Sequence, residues 1–564
     1  MIAWHGPDGM AAISWQGINI MDARLQGEPD VGSTAPPAAS RNARILLYGL
    51  GALAILALFA RIMTFDLQRD EEFYLSASIL YSPASLYQQI NFSHFPNLPI
   101  LLRTLYALTG TDHYLLGGRL VIFAAWLASL LALWLFGQRY RLGIAQTGLL
   151  AALLLLNPVL LDAAGMAVTN NFIAAPFLLF GILAFLRGTQ GGTARPYTML
   201  LAGFLLALGA GFKANYVLML APFGVAALLM PQDQSFAGRL RDGVLPLVLG
   251  GIVGGLPTLY FFAQDPAGFI AHCFSFHRGP QIAYWLAHPE IHDPKFISPR
   301  DKLMLAHRIW LSGTTMLLPM LIITLLAVAA WSTPAKGLAW LGRFRTGPIL
   351  LMASIVAISV LASFMPTPSF PQYHSTAFVF VILLIGLMLH ALEQPGQSRA
   401  RPVIAAVFLM AVVAGGPMLF PALTKLARPG DWTGVVVHED ARKLADSIAR
   451  GGAAGPVATL LPIYPLEGGR AVYPHLALDQ FVYRASDYIP ADQRRYFHNL
   501  AAPGTIGAIL AANPPSAILV GSQDRLEEPL VRFARVNGYV AQAVQLRHAE
   551  EGSAPLLLVR RPRP

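Results

Sequence analysis

Arg69-Asp70-Glu71-Glu72-Phe73-Tyr74 stands a few residues beyond an apolar run at 45–63. About 20 apolar residues cross the hydrocarbon core of a bilayer, so that run reads as a membrane-spanning helix. Four charged side chains just past its end sit at the membrane–water boundary. Acids in such a place are costly and point to function. A carboxylate there suits a general base, or a metal ligand, for chemistry on a lipid-linked substrate. The bland alternative is a solvated juxtamembrane turn that tolerates acids, Glu72 included.

Outward from this stretch, composition sets the class. The chain has 564 residues, 55% of them hydrophobic and 12% charged, and a mean hydropathy of +0.53. Soluble proteins carry about 25% charged residues, so the fold class is a polytopic α-helical membrane protein. The net charge is +10. Its basic residues fall mostly in short loops between apolar runs, the pattern of membrane orientation rather than nucleic-acid binding. No nucleic-acid-binding motif is present. Cys273 is the single cysteine, so no intramolecular disulfide braces the loops. Residues 1–44, with Ser33-Thr34-Ala35-Pro36-Pro37, read as a disordered cytoplasmic tail. The run at 45–63 lacks a cleavage site and is not read as a signal peptide.

Eleven candidate spans follow at about 45–63, 115–136, 144–161, 169–186, 197–211, 215–230, 243–263, 309–331, 348–364, 373–392 and 403–421. The stretch 197–230 is too long for one helix, and Phe212-Lys213-Ala214-Asn215 divides it. A single tilted helix is the competing reading. With the N-terminus inside, the division puts Arg139 and Arg141, Arg187 and Arg195, Arg239 and Arg241, Lys336, Arg343 and Arg345, and Arg399 and Arg401 all in inner loops. It leaves 64–114, 264–308 and 422–564 outside. The last of these alternates short apolar strands (457–461, 517–520, 539–544, 556–559) with polar helical stretches (439–449, 523–537). It reads as a C-terminal extracytoplasmic α/β domain.

Several residues are candidates for a site. Tyr74, Tyr81 and Tyr87 suit an interfacial helix. His94 lies in the turn Asn91-Phe92-Ser93-His94-Phe95-Pro96-Asn97-Leu98-Pro99, beside the acids. Lys213 breaks a long uncharged stretch on the outer side; it reads either as a phosphate contact or as a snorkelling anchor. The loop 264–308 carries His272, His277, Arg278, His288, His292, Asp293, Lys295 and Arg300. Arg278 and Lys295 suit a phosphate leaving group. The histidine spacings match no zinc signature. Tyr373 and His374, after Pro366, Pro368 and Pro371, either close a pocket or merely follow a proline-made helix boundary. No P-loop, dinucleotide fingerprint, Ser-His-Asp or Cys-His constellation is present.

The order of these motifs resembles the C-type (GT-C) membrane glycosyltransferases, in particular the protein mannosyltransferase-like and lipid A aminoarabinose transferase-like proteins. The residues that carry the resemblance are Asp70-Glu71-Glu72-Phe73-Tyr74, Pro96-Asn97-Leu98-Pro99, Leu208-Gly209-Ala210-Gly211-Phe212-Lys213 and Pro371-Gln372-Tyr373-His374, over roughly 45–400. The resemblance implies an inverting transfer of a monosaccharide from a polyprenyl-phosphate donor to an acceptor hydroxyl of a glycan, lipid or protein. Asp70 or Glu71 would be the base, and Lys213, Arg278 and Lys295 would meet the donor phosphate. Tyr74, His94, Asn170, Tyr373 and His374 would line the substrate pocket. The implied location is a bacterial inner membrane, multi-pass, with the N-terminus cytoplasmic and the C-terminal domain periplasmic. Relatives often carry a second acid near the fourth span, where this chain reads Met166-Ala167-Val168-Thr169-Asn170-Asn171. Asp162 lies a turn or two earlier, so a divalent cation (magnesium or manganese) on Asp70 and Asp162 stays open. The rival readings are a lipid transporter or flippase and a non-catalytic membrane sensor.

Overall fold

The computed structural model describes residues 41–289, 291, 296–332, 340–392, 394–521, 524–548 and 555–560. The tail at 1–40, His292, Asp293, Lys295 and Lys336 lie outside the described residues. The chain divides into two units, Met1–Tyr48 and Gly49–Pro564. Of the first, residues 41–48 are described and are helical; the second holds everything discussed below.

In lipid every backbone N–H and C=O must be paired within the chain, which makes apolar runs helical. Among the described residues, five helices are long and apolar enough to cross a membrane: Tyr114–Arg139, Phe236–Gln264, Gly313–Trp331, Pro371–Ala391 and Gly396–Lys425. The pair Tyr48–Thr64 and Arg69–Ile79 passes the same test together but is bent by 80° at its break. Shorter apolar helices are Ile144–Leu155, Ala175–Gly188, Pro196–Ala210, Ala214–Leu229 and Gly347–Ser363. The protein is a polytopic helical membrane protein. Its core centres on the helix Ser375–Ala391, where every residue from 375 to 389 is buried, as expected of a helix apolar on all sides. Pro196–Ala210 and Leu245–Gln264 cross with their backbones in contact. A β-carbon on Gly203, Gly250 or Gly254 would fall onto the carbonyls of Leu247, Leu200 or Phe204, so only glycine permits this approach.

The 197–230 stretch is interrupted. The helix Pro196–Ala210 ends, Gly211 to Lys213 form a turn, and a 3₁₀ segment Ala214–Leu220 leads into Ala221–Leu229. Asn97 holds this break: its side-chain amide donates to Leu208 O at 2.8 Å and its backbone N–H to Gly211 O at 3.2 Å. Those carbonyls would otherwise be orphaned at the helix end.

The residues after 422 carry a four-stranded sheet in the order β1-β2-β4-β3. Its strands are β1 (Val457–Thr459), β2 (Ala517–Val520), β3 (Tyr539–Ala543) and β4 (Leu556–Arg560). β1 and β2 are parallel, with Val457 opposite Ala517. The other pairs are antiparallel, with Leu519 opposite Leu557 and Tyr539 opposite Arg560. The amphipathic helices Thr433–Arg450 and Asp524–Val536 accompany it. The segments 64–114, 264–308 and 422–564 pack on one another. Thr433 Oγ donates to Phe65 O at 2.8 Å, Asn499 Nδ2 to Gln89 O at 2.9 Å and Leu115 N–H to Glu467 Oε1 at 2.7 Å. Phe276, Tyr284 and Trp285 share an apolar cluster with Val482, Ile489 and Phe497.

Candidate active site

The helix Arg69–Ile79 starts with three acids, Asp70, Glu71 and Glu72, in its first turn, where carboxylates complement the positive end of the helix dipole. Successive residues on a helix point about 100° apart, and the three acids have three different environments.

Glu71 is sealed. Arg119, from the helix Tyr114–Arg139, grips it with Nε at 3.0 Å and Nη2 at 2.8 Å, and both side chains are wholly buried. Val168 N–H donates to it at 3.0 Å and Gln68 N–H at 3.4 Å. Arg119 Nη1 also donates to the carbonyls of Ile62 and Phe65. The pair therefore ties the end of the first helix to the Arg69–Ile79 helix, the Tyr114–Arg139 helix and the 168 loop. No lone pair of Glu71 is left for a substrate.

Asp70 is open to solvent, yet neighbouring protein crowds its carboxyl. That crowding raises its carboxyl above the usual aspartate range, while Arg484, Lys213 and Arg69 pull it back down. Glu72 and Asp479 lie buried behind it. Burial first, then Asp479, push Glu72 well above the usual range, and burial lifts Asp479 to about 7.

Lys213 sits at the helix break and is 9% exposed. Its Nζ donates to Asn171 Oδ1 at 2.6 Å and lies 5.0 Å from the centre of the Tyr373 ring. Burial lowers its ammonium to about 8, with Asp70 opposing the shift. Asn170 donates to Phe212 O at 3.2 Å, at the break that carries the lysine, and neighbours the Tyr74 hydroxyl on the acid-bearing helix. Tyr74, in turn, belongs to an aromatic cluster with Phe73, Phe92 and His94.

The second cation within electrostatic reach of Asp70 is Arg484, just after the short helix Gln480–Tyr483. Its guanidinium stands 4.7 Å from the Trp285 ring, 5.5 Å from Tyr284 and 5.6 Å from Phe481. Arginine is stable against aromatic faces. Its Nε is enclosed without a hydrogen-bond partner. Burial lowers its basicity, and Tyr284, Asp479 and Asp70 sustain its charge.

No family model matches the chain, and no curated protein does. Solved structures do. ArnT from Cupriavidus metallidurans, in its crystal structure bound to undecaprenyl phosphate, aligns with a TM-score of 0.55 at 14% identity, covering 93% of this chain and 100% of that one. The same protein in the apo state gives a TM-score of 0.56 at 14% identity and the same coverage. The Archaeoglobus fulgidus oligosaccharyltransferase in the apo form aligns at 11% identity with a TM-score of 0.43, over 84% of this chain and 69% of that one. The chain has the GT-C fold.

Within this GT-C fold the expected site residues separate into groups. Asp70, Tyr74, Asn170, Lys213 and Tyr373 stand together. His94 adjoins them: its ring touches Tyr74 and His277, and burial holds it neutral, well below the usual histidine range. His374 is fully buried and accepts a hydrogen bond from Trp310 Nε1 at 3.1 Å; it braces the turn before Ser375–Ala391. Arg278 ends the short helix Phe276–Arg278 and is exposed. Lys295 is outside the described residues. Asp162 is exposed and within electrostatic reach of Arg61. Arg484 went unread in the sequence because it lies in a polar, charge-rich segment where one more arginine has no contrast.

The donor set around Asp70 does not fit a divalent cation. Glu71 is saturated, Asn171 Oδ1 is taken by Lys213, and the charges that act on Asp70 are cations. Hard cations need several oxygen ligands. One carboxylate flanked by an ammonium and a guanidinium fits an anion beside an attacking group.

Proposed function

We propose that the protein transfers a monosaccharide from a polyprenyl-phosphate carrier to an acceptor hydroxyl of a glycan, lipid or protein. The reaction takes place at the extracytoplasmic face of a bacterial inner membrane. In this reading the chain spans the membrane eleven times, the N-terminus is cytoplasmic, and 422–564 form a periplasmic domain. One observation carries the proposal: on a GT-C fold, an open carboxylate, Asp70, lies within electrostatic reach of Lys213 and Arg484, with Tyr373 against the lysine.

The chemistry follows from those charges. The acceptor hydroxyl gives its proton to Asp70 as its oxygen bonds to the anomeric carbon. The bond from that carbon to the phosphate oxygen breaks on the opposite side, so the configuration inverts. The electron pair leaves on the lipid phosphate. Lys213, as a point charge, and Arg484, as a planar fork, neutralise the charge that grows there. Glu71 takes no part in this step; with Arg119 it sets the orientation of the helix that presents Asp70. Undecaprenyl phosphate, the ligand named for the ArnT structure, is the carrier class this site would accept.

The test is direct. Purified protein is incubated with a panel of radiolabelled polyprenyl-phosphate sugars and membrane extract, and labelled product is scored. Asp70→Asn should lower product formation by roughly 10²- to 10⁴-fold and retain donor binding. Absence of transfer across the whole panel would favour a lipid carrier over an enzyme.

A further inference from the structure

Away from the Asp70 site, the loop before the helix Tyr114–Arg139 meets the helix Thr433–Arg450. Asp112 and His113 come from the loop and His438 from the helix. One ligand atom from each lies within 4.8 Å of the other two, the single such group of three among the described residues. We infer that Asp112, His113 and His438 form a binding site for a divalent transition metal, zinc by its ligand chemistry, which clasps the C-terminal segment to the membrane helices. This inference is independent of the proposed transferase activity.

Four observations support it. First, His438 Nδ1 is bonded to Glu467 Oε2 at 2.8 Å, and Glu467 is 1% exposed. With its Nδ1 proton given to a buried carboxylate, the imidazole presents the Nε2 lone pair. Metal-ligating histidines commonly have such a carboxylate partner, which fixes the tautomer and raises ligand basicity. Second, Glu467 is itself fixed, since its other oxygen accepts Leu115 N–H at 2.7 Å. The carboxylate cannot turn away from His438 without leaving that amide unpaired. Third, His113 Nδ1 is enclosed by protein and has no hydrogen-bond partner, a cost that a ligand would remove. Fourth, the charges suit a dication. Asp112 and Glu467 supply two negative charges, and the one cation hydrogen-bonded in the cluster is Arg442, at 2.7 Å from Asp112 Oδ2. The two carboxylates match a dication, and the one positive charge left over sits on Arg442, which is more than half exposed to water.

The donor set chooses the metal class. Two imidazoles and a carboxylate suit zinc, copper or nickel, whereas magnesium and calcium require oxygen ligands. Tetrahedral zinc holds its ligands about 3.3 Å apart. Capture therefore asks Asp112 and His113, both only partly buried, for modest rotations. The imidazole rings now stack at 3.6 Å and 23°, and binding would splay them. Three protein ligands leave one coordination position for water.

Chelator-stripped, full-length protein in detergent is titrated with Zn²⁺, and with Co²⁺ as a spectroscopic probe. One equivalent should bind, with a tetrahedral Co²⁺ absorption band. His113→Ala with His438→Ala should eliminate both. Glu467→Gln should weaken binding 10- to 100-fold, the usual effect of losing a partner of a ligating histidine. Asp112→Asn sits at the rim and should fold normally; its affinity should fall with the metal-free melting temperature unchanged. No stoichiometric binding, or binding that survives the double substitution, overturns the site and leaves a stacked, proton-sharing histidine pair. Sugar transfer is not read in this experiment, so its outcome and that of the transferase test are separable.

Discussion

The open site at Asp70 and the seam at Glu71 begin one residue apart on the same helix. Around Asp70, solvent enters, and the cations within its electrostatic reach include Lys213 against Tyr373 and Arg484 against Trp285. Around Glu71, solvent is excluded and the cation is in direct bidentate contact. An ion pair that is closed and dry fixes geometry. A carboxylate and cations that are kept apart retain unsatisfied bonding capacity, which is what a reaction needs. The energy that holds the open arrangement comes from the closed one next to it.

Exchanging the two acids' roles is the sharpest way to break this contrast. Asp70→Asn should lower turnover by roughly 10²- to 10⁴-fold, with the unfolding midpoint unchanged and donor lipid still bound. Glu71→Ala should do the reverse at the level of folding. It strands Arg119 in a dry site, and breaking a buried pair from one side costs about 3–5 kcal/mol, read as a lower detergent melting temperature and poor membrane yield. If Glu71→Ala instead left stability intact and removed only turnover, the base would be Glu71 and the assignment would be inverted.

Arg484→Ala comes next, with an expected 10²- to 10³-fold loss in turnover for one missing charge stabiliser. Arg484→Lys should recover part of it, because the charge returns without the fork. Acidity offers a milder probe. Asp70 acts only when ionised, and its raised range moves the acid limb of kcat/KM above that of an ordinary aspartate. Lys213 acts only when protonated, so kcat/KM should fall about tenfold per pH unit above about 8. Lys213→Arg keeps its charge there and should extend the plateau; an unchanged alkaline limb would remove Lys213 from the phosphate. Tyr74→Phe should show the smallest effect. Losing one polar hydroxyl beside Asn170 is worth about 1 kcal/mol at most, or roughly a fivefold change in turnover.

The membrane helices were legible because apolar runs and their breaks have strong contrast against charge. Asp70, Tyr74, Asn170, Lys213 and Tyr373 share that contrast: each is polar at the edge of an apolar run. Which of two adjacent acids faces the opening was not legible. It depends on where Arg119 arrives, and an arginine in the second turn of an apolar helix can serve a substrate or a neighbouring carboxylate equally well. Arg484 and the trio Asp112, His113 and His438 were invisible for another reason. Their chemistry exists only once the 64–114 and 422–564 segments meet, and neither segment carries a local spacing that announces the partner. Arg278 had the right charge in a plausible loop, but it points to solvent while an arginine from the distant segment occupies the aromatic cradle.

Arg484 comes from a segment far later in the chain than Asp70 and Lys213. Until that late segment folds back over the membrane helices, the carboxylate and the lysine lie in an unroofed groove. Under the proposed transfer, a chain cut short of Arg484 would lack one of the two charges that stabilise the leaving phosphate.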